Sequence, residues 1–231
     1  MVITRQSGVS PYAFRLIPKP REIEMPNAYG LLVEQDSVRY GCDKQLCRYS
    51  GGQITVFGPK AGLPSSQWKG IQRAGNGDLW AQGRSEVVRL PRGGTRFEIP
   101  ESPFGSLGAT GVLSKDSGVR IIVGTTDGLA IWEGDSWKSV GRESGLRGCV
   151  YRVLQDREGS LWIGLLGRGL VRWLGYREWE AFTAESGLDT DTVCETLPLP
   201  DGTVWAATEA GLLSGSEGAW YLEVTEAATT K

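Results

Sequence analysis

The 231-residue chain contains no histidine. That absence excludes Ser-His-Asp and Cys-His catalysis, imidazole ligation of a metal and a histidine pH switch within these residues. There is no block of like charge either, and 25 Lys and Arg against 27 Asp and Glu leave a formal net charge of −2. Nothing in that balance calls for nucleic acid as a partner. Long hydrophobic runs are also missing. No stretch approaches the roughly 18 apolar residues that span a bilayer, and the opening "MVITRQSGVSPYAFRLIPKP" lacks the apolar core of a secretory signal. No direct membrane contact is expected of this chain.

Glycine and tryptophan are plentiful, at 33 and nine residues, and 40% of the side chains are apolar. Glycine punctuates turns, and tryptophan supplies large aromatic area suited to sheets. An all-β chain of this length commonly forms one domain. Of the four cysteines, Cys42 and Cys47 flank a tight turn in "CDKQLC", where a disulfide and two ordinary thiols are both open. Cys149 and Cys194 lie in apolar segments and read as small hydrophobes. No metal site and no cofactor are expected.

A repeat organises the whole pattern. The tryptophan of "LWIG" falls at Arg39, Trp80, Ile122, Trp162 and Trp205, at intervals of 41, 42, 40 and 43. A second landmark, Leu46, Val87, Leu129, Leu170 and Leu212, recurs at intervals of 41, 42, 41 and 42. Each unit reads as four short strands, as in "CVYRVLQD", "SLWIG", "GLVRW" and "WEAF", joined by glycine-containing turns. Four-stranded units of about 40 to 45 residues stacked around an axis are the β-propeller pattern; a β-solenoid, with shorter turns, is the rival. The expected fold is an all-β propeller of five blades plus a partial one. The blades are placed at 28–63, 64–107, 108–146, 147–188 and 189–222, with a polar tail at 223–231. Residues 1–27 are read as the last strands of a preceding blade, "VITR" and "YAFRLI", or as a closing strand.

The repeat explains residues that otherwise look functional. Gly159 and Gly202 follow acidic residues at turn positions that favour positive φ. Gly164 and Gly41 leave the second strand, where a missing side chain lets neighbouring backbone approach; Gln82 and Ala207 hold that place in two other units. No helical periodicity follows these glycines, which argues against a phosphate loop. Trp80, Trp162 and Trp205 are read as blade-packing residues. Replacing Trp162 or Trp205 with alanine is expected to cost about 3–5 kcal/mol. Trp137, Trp179 and Trp220 recur at one position, which favours packing over partner contact.

The segments "DREGSLWIGLLGRGLVRW", "PDGTVWAATEAGLL", "NGDLWAQGRSEVVRL" and "SGVRIIVGTTDGLAIW" resemble the bacterial two-component regulator propeller family. The spacer "ESGL" at 143–146 and 185–188, and "AGL" at 61–63, are similar to its blade-to-blade connections, and the likeness covers about residues 28 to 222. The resemblance implies a periplasmic or otherwise extracytoplasmic sensor region of a larger, membrane-anchored, dimeric protein, with a histidine kinase or diguanylate cyclase as output module. Family members often carry seven blades, so five repeats suggest an open fragment of a larger propeller.

On this reading the chain is a non-catalytic module that recognises an unknown small molecule, a glycan or a partner protein domain. The candidate contacts are polar residues of the turns between second and third strands: Asp43, Lys44, Arg84, Glu86, Asp127, Arg168 and Glu209. Ordinary solvated turn polarity is the competing reading for each. An interaction scaffold is one alternative. A propeller glycoside hydrolase or lyase is another, because "DREGSLW" and "PDGTVW" resemble sialidase aspartate boxes, whose Asp, Gly and Trp are structural. The recurring acids Asp116, Asp156 and Asp201 sit in turns and form no evident acid-base pair, so catalytic silence is expected.

Overall fold

The computed structural model describes residues 2–3, 14–15, 17, 21, 27–101, 113–116, 120–175, 178–188, 190–216 and 219–223. The architecture is all-β. Blade 1 contains strands Ala28–Glu34, Ser37–Cys42, Gln45–Ser50 and Gln53–Phe57. Blade 2 contains Gly70–Arg73, Leu79–Gln82 and Val87–Leu90. Blade 3 contains Leu113–Lys115, Ile121–Thr125, Gly128–Glu133 and Ser136–Val140. Blade 4 contains Val150–Gln155, Leu161–Leu165, Gly169–Gly175 and Glu178–Phe182, and blade 5 contains Val193–Pro198, Val204–Thr208, Gly211–Ser216 and Ala219–Leu222. Each sheet is an antiparallel meander in chain order.

The repeat landmarks coincide with the register. Leu46, Val87, Leu129, Leu170 and Leu212 each lie opposite the exit residue of the second strand, Gly41, Gln82, Gly124, Gly164 and Ala207. Side chains alternate between faces along a strand, so one conserved register sends the same positions to the same side of every blade. First strands of neighbouring blades contact one another, which places them innermost, and the fourth strands lie outermost.

Four apolar clusters fill the spaces between consecutive blades. Leu46, Leu63, Trp68, Ile71 and Val88 join blades 1 and 2, and Trp80, Val87, Ile121 and Val123 join blades 2 and 3. Ile122, Leu129, Val153 and Ile163 join blades 3 and 4, and Trp162, Leu170, Val204 and Leu213 join blades 4 and 5. The strand-2 landmark therefore faces the following blade, and its sequence neighbour faces the preceding one. Among the described residues no core cluster joins blade 5 to blade 1.

The connectors repeat as well. One 3₁₀ turn at Pro59–Ala61, Arg142–Ser144 and Ala184–Ser186 ends in a glycine with φ of 76°, 96° and 104°, and the next residue is a buried leucine, Leu63, Leu146 or Leu188. The leucine N–H donates back to Gly58, Gly141 or Thr183, which fixes the hop between blades. This is what "AGL" and "ESGL" encode.

Three expectations need correction. Among the described residues blade 2 shows no fourth strand; the chain at Pro91, Gly93 and Gly94 loops out, and a single bridge between Arg89 and Glu98 stands in place of the ladder. Trp205 is not packed between sheets: it is half-buried on the outward face of blade 5, where no neighbouring described sheet covers it. Gly164 does not admit a close backbone, since a Cβ there would meet Val193 at 3.5 Å, whereas at Gly41 it would lie 2.3 Å from the Trp68 carbonyl oxygen. At the N-terminus, Val2–Ile3 pairs with Phe14–Arg15; the rest of the 1–26 reading, apart from residues 17 and 21, and the tail after Glu223 lie outside the described residues.

Candidate functional site

The seven candidate residues lie in the turns between second and third strands, and these turns pack on the blade connectors. The Lys44 carbonyl accepts from Ser66 N–H at 3.2 Å, and Arg84 N–H donates to the Ser66 hydroxyl at 3.1 Å. Glu209 N–H donates to the Thr192 carbonyl at 3.3 Å, and the Arg168 stem packs on Gly148. Asp127 N–H donates to Thr125 Oγ1 at 3.2 Å, the Glu86 carbonyl accepts from Gly83 at 2.9 Å, and Asp43 turns the chain at φ 55°. Lys44, Arg84, Asp127, Arg168 and Glu209 are exposed. None of the seven lines any of the three clefts described below.

A defined cleft lies at the other end, between blades 4 and 5. Its cavity is about 180 Å³ and is walled by Trp162, Phe182 and Trp220, with Arg157, Glu158, Arg172 and Glu180 among its polar lining. The aromatic wall is built by the register: Trp162 comes from strand 2 of blade 4, Phe182 from strand 4, and Trp220 from strand 4 of blade 5. Trp162 stacks on Phe182 at 5.6 Å, and Trp220 meets both edge-on at 6.2 and 5.5 Å. Arg172 lies over the Trp162 ring at 5.2 Å and pairs with Asp156 at 3.1 Å and Glu180 at 3.6 Å. Such a lining offers a hydrophobic wall with donors and acceptors of both signs. A related, more open cleft of about 540 Å³ lies between blades 2 and 3, beside Trp132, Arg120 and Glu133.

The acids of the first turns are committed to structure. Asp156 accepts from Ser160 N–H, Trp162 Nε1 and Arg172. Asp116 accepts from Arg120 N–H and its guanidinium, and Asp201 from Thr203 N–H at 2.9 Å. Those bonds from Thr203 hold the Asp201 carboxyl below its ordinary value. Sequence reasoning missed Asp78, which does the work of Asp156 from the opposite end of its turn. It accepts from Asn76, Arg89 and Arg92 N–H; burial pushes its carboxyl up, but these bonds hold it below the ordinary value. The pairing of Trp80 with Arg89 and of Trp162 with Arg172 was the signal that could have found it. Cys42 and Cys47 are joined by a disulfide. No group of metal-ligating residues occurs among the described residues.

Solved structures share this fold. The extracellular domain of the hybrid two-component system BT4673 from B. thetaiotaomicron superposes with a TM-score of 0.68 at 15% identity, over 84% of this chain and 28% of that one. Virginiamycin B lyase from Staphylococcus aureus gives 0.67 at 12% identity over 87% of this chain and 71% of that one. YCF48 bound to D1 peptide gives 0.66 at 17% identity over 90% and 70%. The present chain thus spans little more than a quarter of the length of the two-component domain. No protein-family model matches the chain, and no curated protein sequence does. The fold agrees with the resemblance to two-component regulator propellers read from the repeats.

Proposed function

We propose that the chain is a non-catalytic recognition unit of a bacterial signalling protein, working outside the cytoplasm, and that the cleft between blades 4 and 5 receives its ligand. The observation that carries this reading is the fate of the first-turn aspartates: Asp78, Asp116 and Asp156 are spent on backbone N–H groups and arginines, so none of these three is poised as a free acid or base. Two further points support it. The Cys42–Cys47 bond suits an oxidising compartment, as does the kinship in fold with extracellular two-component domains. The staphylococcal lyase is catalytically inactive when one histidine is replaced by alanine, and this chain has no histidine.

The test is a thermal-shift screen of saccharides, short peptides and small carboxylates, with parallel assays for turnover of each. A probe is expected to raise Tm in the wild type and not in Glu180→Gln, whose side chain is 46% exposed. Sustained product formation from any probe would overturn the non-catalytic reading. A shift retained in Glu180→Gln and Arg157→Ala together would move recognition away from the cleft.

A further inference from the structure

We infer, on the reading that the cleft between blades 4 and 5 receives the ligand, that it admits a single aromatic ring carrying both an ammonium and a carboxylate. Gly215 is the residue that makes room for that ring. The strand register puts Tyr49, Leu90, Trp132, Trp173 and Gly215 at one place in the five blades, on the third strand and opposite the beginning of the second. Four blades carry a large side chain there, and blade 5 carries none. In blades 3 and 4 the residue across from it on the fourth strand is a second tryptophan, Trp137 or Trp179, whereas in blade 5 Trp220 faces the glycine alone.

The indole pair of blade 3 packs on the blade before it, with Trp132 and Trp137 at 5.1 and 5.6 Å from Trp80. Trp162 holds the place of Trp80 in blade 4, and from blade 5 it meets one indole, Trp220, at 6.2 Å. Trp220 leans over the glycine, since a Cβ at Gly215 would lie 2.6 Å from its ring. One indole does not fill the place of two, and close-packed walls relax only partly around a missing side chain, so space remains. Gly215, Val204, Trp162, Phe182 and Trp220 all border it. At about 180 Å³ the cavity is close to the engineered apolar cavity of about 150 Å³ that holds one benzene ring, and it falls short of the roughly 300 Å³ at which pockets for larger ligands begin. The cleft between blades 2 and 3 has no such vacancy, because Trp132 is in place there and is the one aromatic residue of its described lining.

The charges around the cavity select the substituents of the ring. Asp156 is already spent on Ser160 N–H, the Trp162 indole and Arg172. Arg172 is held over the Trp162 ring and reaches Glu180 only at 3.6 Å, so the exposed Glu180 carboxylate keeps acceptor capacity for an ammonium. Glu158 adds a second exposed carboxylate. Arg157 gives one N–H to the Pro200 carbonyl at 2.7 Å, and its other N–H groups remain to meet a carboxylate. A purely anionic ring would face Glu158 and Glu180, and a purely cationic one would face Arg157 and Arg172. A zwitterion answers both signs. An aromatic amino acid has that ring and that pair of charges.

The test is calorimetry and ligand-observed NMR on the whole chain with L-phenylalanine and L-tryptophan, compared with 3-phenylpropionate, phenethylamine, L-leucine and glucose. The aromatic amino acids should bind with Kd below about 1 mM, and loss of either charge or of the ring should weaken binding at least about tenfold. Gly215→Trp, which restores the indole pair of blades 3 and 4, and Glu180→Gln should each weaken binding at least about tenfold, with circular dichroism and Tm showing that the fold is kept. Gly215→Leu, the residue type that blade 2 carries at Leu90, replaces the tryptophan variant if that one fails to fold. No binding of either amino acid up to about 10 mM, or binding no tighter than that of leucine or glucose, overturns the proposal. Binding of glucose or 3-phenylpropionate that the Gly215 variant abolishes, without binding of the amino acids, overturns the ligand class and leaves the cleft as the site. Amino-acid binding that survives both the Gly215 variant and Glu180→Gln overturns the ligand class and the cleft together.

Discussion

The indole Nε1 of Trp162 donates a 2.9 Å hydrogen bond to the carboxylate of Asp156, six residues earlier in the chain. The bond joins the first turn of blade 4 to the second strand, and the same carboxylate reaches Arg172 on the third. One acid thus ties three consecutive pieces of the meander together while its side chain stays only 7% exposed.

Removing that acid leaves Ser160 N–H and the Trp162 indole without that acceptor and Arg172 with one partner, Glu180, in place of two. Asp156→Ala should destabilise the chain by about 2–4 kcal/mol, and Asp156→Asn, which keeps an acceptor, by less. Urea unfolding monitored by tryptophan fluorescence measures both. An alanine variant as stable as the wild type would show that the acid has no structural role and return it to the list of candidate functional groups.

The two strand-exit glycines should behave differently. A Cβ at Gly41 would sit 2.3 Å from the Trp68 carbonyl oxygen, and backbone cannot yield as a side chain can. At Gly164 the nearest atom is a Val193 methyl at 3.5 Å, an ordinary contact, and blade 5 already carries Ala207 in that place. Gly41→Ala should cost about 2–3 kcal/mol and Gly164→Ala less than about 1 kcal/mol, read from the shift in urea midpoint. Equal costs would refute the close-approach account.

This contrast marks what was legible in the sequence. The period, the four strands and the face assignment could be read because register couples apolar alternation to position, and five copies average out local exceptions. The connectors could be read because an αL glycine and a buried leucine recur together. What depends on a neighbour could not be read. Gly41 and Gly164 look alike until Trp68 is placed, and Trp205 looks like Trp162 until the absence of a covering described sheet is known, so its truncation should cost only about 1 kcal/mol. The cleft between blades 4 and 5 was invisible for the same reason: Trp220 and Phe182 meet across two units whose sequences say nothing about the gap between them. That blade 2 shows only a bridge in place of a fourth strand among the described residues was foreshadowed by Pro91, Gly93 and Gly94, a signal the repeat pattern overrode.

The disulfide makes a countable prediction. Cys42 and Cys47 are bonded, and Cys149 and Cys194 are free. Oxidised protein denatured without reductant should titrate two thiols, and four after reduction. Closing so short a loop constrains the unfolded chain by about 2 kcal/mol, so reduction should lower stability by that order. Four thiols from protein that was never reduced would exclude the bond.

The last prediction concerns acid. Glu34 on blade 1 holds Arg39 of its own blade and Arg73 of blade 2, so a single carboxylate couples the two sheets. Burial pushes its carboxyl up, but the hydrogen bonds and charges of Arg73 and Arg39 outweigh that and lower it from 4.5 to about 2. A carboxyl lowered on folding stabilises the protein fully above its unfolded value and loses that contribution as pH falls. Stability due to Glu34 should therefore be complete above about pH 4.5, decline between 4.5 and 2, and be gone below. Glu34→Gln should be less stable at neutral pH and should converge on the wild type across that window, because the variant has no such proton to take up. Other acids titrate in the same range, so the quantity to measure is the difference between the two unfolding free energies at each pH. A difference that stays constant from pH 7 to pH 2 would mean that Glu34 does not couple the blades by its charge.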